Sequence, residues 1–117
     1  MSKLLVYVEH AAGAPRRASL EAIGAALAAG CEVVACLAGD GAADAAAGAL
    51  GASAAVVLTG AASNSPDAVA AALAEVAQAQ SAQGFLAAAT SAGKDLAPRV
   101  AAHLDSTLFT DLSLIHI

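Results

Sequence analysis

Aromatic residues are nearly missing from this 117-residue sequence: one Tyr, two Phe and no Trp. That excludes the stacking platforms on which proteins hold bases or sugars. Basic residues are scarce as well, five Lys and Arg against ten Asp and Glu, for a formal charge of −5. Nucleic-acid binding needs a basic face. The one adjacent pair, Arg16-Arg17 in a proline-containing loop, reads as solvated charge, so no nucleic-acid partner is expected. No apolar run reaches the roughly 18 residues that span a bilayer, and no membrane insertion is expected. The opening run Lys3-Leu4-Leu5-Val6-Tyr7-Val8 is too short for a signal-peptide core and has no cleavage site. Only two cysteines occur, Cys31 and Cys36. Their odd separation puts them on opposite faces if both lie in one strand. They read as buried free thiols in a reducing cytoplasm, neither a disulfide nor a metal pair.

Catalytic and cofactor motifs are missing too. There is no HExxH, no CxxC, no G-x-S-x-G elbow, and no G-x-G-x-x-G after the first apolar run. Gly93-Lys94 is followed by Asp95 rather than Ser or Thr, and Ala88 stands where a P-loop has its first Gly. A phosphate-cradling loop is therefore not expected there, and Asp95 adds negative charge beside it. Ser19 and Ser91 have no identifiable His-Asp company. His103 lies late in a helix, where a partial positive charge is favourable, and reads as structural. Glu9-His10 lies beyond the carboxyl end of a strand, where α/β sheets place their sites. The two are adjacent, so their side chains point apart, and they do not form an acid/base pair unaided. No catalytic, cofactor-binding or metal-ligating residue is assigned, and the chain does not read as an enzyme.

Hydrophobic residues make up 59% of the sequence, much of it alanine, and the length suits one domain with a real core. Leu4 to Val8 is a continuous apolar run, the mark of a strand covered on both faces. Ser19 reads as a helix N-cap, Leu20, Ile23 and Leu27 as the buried stripe, and Gly30 as the residue closing the helix. Glu32 to Ala38 is a second strand. Gly39-Asp40-Gly41 turns the chain, with Asp40 capping an alanine-rich helix that ends at Leu50-Gly51. Ala54 to Thr59 is the third strand. Ser65-Pro66-Asp67 combines a cap, a proline at the first position and an acid in the first turn. Val69, Leu73 and Val76 mark the buried face of the helix that follows.

The stretch Gly84 to Leu104 reads as a buried strand over Phe85 to Ala89, then a small-residue turn over Thr90 to Gly93. An amphipathic helix follows, its stripe formed by Leu96, Val100 and Leu104. Pro98 fits a first turn, so either Asp95 is the N-cap or a start near Gly93 carries a kink. Asp95 and Arg99 are spaced to pair, with Arg99 and His103 facing solvent. Strand-helix alternation of this kind implies a parallel, doubly wound, Rossmann-like sheet in a three-layer α/β/α arrangement, with strand order 3-2-1-4-5. The fifth strand is expected around Thr107 to Thr110. The last six residues, Leu112 to Ile117, are what an adapter end used in transposon-based sequencing libraries encodes. The domain is thus expected to occupy residues 1–111, with 112–117 a non-native tail, a genuine short edge strand being the alternative.

Four segments, LLVYVEH, SLEAIGAA, EVVACLAGDG and above all TSAGKDLAPRVAAHLD, resemble the N-terminal domain of the electron transfer flavoprotein alpha subunit. The resemblance runs from Lys3 to Asp111. Its most specific part is Gly93-Lys94-Asp95 with Pro98-Arg99-Val100-Ala101-Ala102. The sister beta subunit typically has a Gln-Ala-Ile-Asp-Gly-Asp kind of signature where this chain has Thr90 to Asp95. The resemblance implies one half of an alpha–beta heterodimer that carries one FAD in a bacterial cytoplasm. It would pass electrons from acyl-CoA and related dehydrogenases to a membrane quinone oxidoreductase. It further implies that FAD lies mainly in a C-terminal alpha domain this sequence lacks, that AMP lies in beta, and that the N-terminal domain is a scaffold packing on beta. A free-standing nucleotide-binding module resembling universal stress proteins is the alternative. Those usually carry G-x-x-G and a further Gly-Ser or Gly-Thr after the fourth strand, where only Gly93 stands here.

Overall fold

The computed structural model describes residues 3–46, 48, 51–60, 65–88, 90–104, 107–109 and 114–116. Four strands form its parallel core: β1 (Lys3–Tyr7), β4 (Glu32–Ala38), β5 (Ala54–Leu58) and β6 (Gly84–Leu86). A small hairpin of β2 (His10–Ala11) and β3 (Ala14–Pro15) follows β1. The helices are α1 (Arg17–Ala28), α2 (Ala42–Ala46), α3 (Pro66–Ala79) and α4 (Ser91–Leu104), and β7 (Thr107–Phe109) and β8 (Leu114–His116) close the chain. The sheet order is β5-β4-β1-β6-β8-β7. β1 is flanked in parallel by β4, with Leu5 opposite Val34, and by β6, with Leu5 opposite Phe85.

Two cores sandwich this sheet. On one face Leu5, Val34, Cys36 and Phe85 pack against Val69, Leu73, Leu96 and Val100 of α3 and α4. On the other, Val6, Val33, Ala35 and Leu37 pack against Ala22, Ile23 and Ala26 of α1 and Ala42 and Ala45 of α2. The alternation of β1 and β4 residues between the two cores is the strand period at work. Small Ala residues on all four helices allow close approach to the sheet. The result is the expected three-layer α/β/α arrangement. Cys36 belongs to the first core and Cys31 packs on the second, so the thiols do lie on opposite faces. Cys31 precedes β4 and is only partly buried.

The first four strands keep the predicted 3-2-1-4 order, and the predicted fifth position differs. β7 does not pair with β6; β8 lies between them, antiparallel to both. Two strands joined by so short a connection can pair only antiparallel, because a parallel pair needs a crossover of a dozen or more residues. Leu114–His116 is therefore an interior strand of the sheet rather than an edge strand. Thr110 and Leu112 lie outside the described residues.

Three helix starts differ from expectation. α1 begins at Arg17 with Arg16 as its N-cap, so Ser19 lies inside the helix. Its buried face is Ser19, Ala22, Ile23 and Ala26, which leaves Leu27 39% exposed, one residue off the stripe. α2 begins at Ala42, and the Gly41 carbonyl accepts from the Ala45 amide, so Asp40 stands in the preceding turn and does not cap. Residues 47, 49 and 50, where this helix was expected to continue, lie outside the described residues. α4 begins at Ser91, so Gly93 and Asp95 lie in the helix rather than in a turn or cap, and Pro98 is interior. The other ends are as read. Ser65 Oγ accepts from the Ala68 amide at 3.1 Å with Pro66 first in α3. Gly30, at φ +83°, closes α1, its amide bonded to Leu27 and that of Cys31 to Ala26.

Candidate functional site

In a parallel sheet all carboxyl ends lie on one side, and ligands collect where successive crossovers diverge. Here that point lies between β1 and β6, because the chain leaves β1 toward β4 and β5 and returns on the other flank. The residues around it are Glu9 and His10 after β1, Gly39-Asp40-Gly41 after β4, and Thr90-Ser91 after β6.

Glu9 is held at both ends. Its backbone amide donates to Ser19 Oγ at 2.8 Å, and Ser19 is fully buried. Its carboxylate accepts a 2.6 Å hydrogen bond from the Thr90 hydroxyl. The Thr90 carbonyl accepts from the Lys94 amide at 2.8 Å, which makes Thr90 the cap residue of α4. A carboxylate therefore sits at the positive end of a 14-residue helix, where the helix dipole favours it. Ser91 and Lys94 are exposed in the first turn of that helix.

His10 turns the other way. Its Nε2 lies 2.7 Å from the Ala38 carbonyl oxygen at the end of β4. A carbonyl only accepts, so Nε2 carries the proton and donates. The adjacent pair thus reaches opposite flanks of β1, as the alternation predicted, and does not form an acid/base couple. Between β1 and α1 the β2–β3 hairpin turns through Ala12 and Gly13, both at positive φ (53° and 76°). That is the type I′ geometry matching strand twist. The sequence assigns no element here, because two-residue strands leave no alternation to see.

Tyr7 stands two residues before Glu9, and burial, then the Glu9 charge and Cys36, push its phenol upward. Burial alone pushes the Cys36 thiol up to about 12, so it is an inert thiol rather than a nucleophile. Away from the crevice, Arg99 meets Asp95 at 3.5 Å and Asp67 of α3 at 3.9 Å, and His103 Nε2 lies 3.7 Å from the same Asp67 carboxylate. Arg99 and His103 thus tie α4 to α3, a link across helices that the reading of both as solvent-facing missed. Among the described residues no group of three or more His, Cys, Asp or Glu side chains is arranged to hold a metal. Nor is any helix among them long and apolar enough to cross a membrane.

A parallel sheet between two helix layers, its crevice at the β1–β6 switch point, defines a Rossmann-like α/β/α domain. The family model described as the electron transfer flavoprotein domain matches residues 4–117, and the chain belongs to that family. Its members are electron carriers rather than enzymes and bind FAD in general. A search of curated proteins finds no match. The residues at the crevice do not fit the pyrophosphate of such a cofactor. A phosphate at a helix start needs free amides and no competing negative charge, and here the Glu9 carboxylate is fixed against Thr90 at that start.

Proposed function

We propose that this chain is the N-terminal scaffold domain of the alpha subunit of an FAD-containing electron carrier. The observation that carries the reading is the family match over nearly the whole chain, residues 4–117. The Gly93-Lys94-Asp95 and Pro98 to Ala102 block supports alpha over beta. In this reading the domain packs against the beta subunit in a bacterial cytoplasm, and the flavin is held mainly by a C-terminal alpha domain. The assembled carrier takes electrons from acyl-CoA-type dehydrogenases and delivers them to a membrane quinone oxidoreductase. This domain's own contribution is shape, with no catalytic, cofactor-binding or metal-ligating residue of its own. The nucleotide-binding-module reading is disfavoured by the carboxylate at the start of α4.

The test is to sequence the source DNA past the codon for Asp111 and express the full frame together with its beta partner. A heterodimer that co-purifies with a flavin absorbance band is the expected outcome. A frame that ends at Ile117, with a product that takes up no beta subunit, sinks the reading.

A further inference from the structure

We propose that Glu9 is the chain's own occupant of the switch-point crevice and bars phosphate-bearing ligands, free or as part of a flavin nucleotide, from this domain. The inference deepens the scaffold reading and rests on it: it names the residue that keeps the domain empty of the family's cofactor class. Three observations support it. The Glu9 carboxylate lies on the Thr90 hydroxyl at 2.6 Å, at the cap of α4. Its backbone is fixed from the opposite face by the buried Ser19 hydroxyl, so the side chain emerges from a clamped position. On the other arm of the crevice His10 is engaged as well, its Nε2 2.7 Å from the Ala38 carbonyl oxygen. An entering phosphate meets a like charge a few ångströms away. Lys94, exposed in the first turn, is the nearest cation along the helix.

The test compares the chain with its Glu9→Gln variant. Gln keeps an oxygen to accept from Thr90 while losing the charge, so the fold is retained. Inorganic pyrophosphate is titrated into each by calorimetry, and the backbone amides of Thr90 and Ser91 are followed by NMR. The expected result is silence for the parent chain and binding at least about tenfold tighter for Glu9→Gln, with both amides shifting. Pyrophosphate binding by the parent that moves those amides overturns the proposal, as does equal behaviour of the two proteins, bound or silent. The flavin content of the full heterodimer bears on the scaffold reading alone, so the two failures are separable.

Discussion

Replacing Ser19 by Ala and by Gly distinguishes two roles for one hydroxyl, because the two roles rank the substitutions in opposite order. At a helix N-cap Ala costs about 1 kcal/mol while Gly costs only a few tenths, since Gly tolerates the non-helical backbone. Inside a helix Gly is worse than Ala by about 1 kcal/mol. The structure puts Ser19 third in α1, fully buried, with its Oγ accepting the Glu9 amide at 2.8 Å. Either substitution leaves that amide without its partner in a partly buried position, which costs about 1–3 kcal/mol. Ser19→Ala is therefore expected to lose about 1–3 kcal/mol and Ser19→Gly roughly 2–4 kcal/mol. Urea denaturation followed by far-UV circular dichroism measures both, with an unchanged slope showing that the unfolded state is not the cause. A Gly variant more stable than the Ala variant refutes the interior placement and returns Ser19 to the cap.

Three further outcomes follow from burial and charge. The buried Cys36 thiol, pushed up to about 12 from an ordinary 9.0, disfavours its thiolate in the folded chain. The unfolded chain thus loses its proton first, so this stabilisation is complete below about pH 9 and fades as pH rises toward about 12. Tyr7, raised above 10.0, adds in the same direction. Alkaline unfolding curves should steepen above pH 9 and be shallower for Cys36→Ala, and a thiol-labelling disulfide reagent should modify Cys31 well before Cys36. Pro98→Ala, at an exposed interior position of α4, restores a donor for the Lys94 carbonyl and should stabilise by about 1–3 kcal/mol; a lowered thermal midpoint contradicts this. Asp67→Asn breaks the contacts with Arg99 and His103, but these are exposed pairs, so the loss should stay below about 1 kcal/mol and shrink in high salt.

The elements legible in the sequence are those whose cause is local. Glu32 to Ala38 is apolar at nearly every position because both faces of β4 are covered, and that pattern survives any detail of packing. Ser65-Pro66-Asp67 and Gly30 act on amides within one turn of themselves, and both ends stand where they were read. Ser19 and Asp40 fail for the complementary reason. Each has the right chemistry for a cap, but Ser19 is engaged by a residue ten positions earlier and Asp40 is displaced by Gly41, whose positive φ of 82° suits the tight entry to α2. The order past β6 differs because the expectation stopped at a fifth strand near Thr107 and set residues 112–117 aside, whereas Leu114–His116 pairs between β6 and β7.

The crevice shows the same boundary between local and distant causes. Adjacency alone said that Glu9 and His10 point apart, and the structure agrees, since one reaches Thr90 and the other Ala38. What adjacency could not reveal is the target of each. Thr90 stands 81 positions from Glu9 and becomes its neighbour only because β6 returns beside β1 rather than continuing past β5. The dipeptide therefore takes its meaning from topology: it sits on the central strand at the point where crossovers diverge, and each side chain fastens one flank. Both are spent on hydrogen bonds that hold the carboxyl edge of the sheet together, His10 as a donor to backbone and Glu9 as an acceptor at a helix start. A phosphate seeking that helix start has to displace an anion tethered to it by the chain, so it competes with an intramolecular partner rather than a free one.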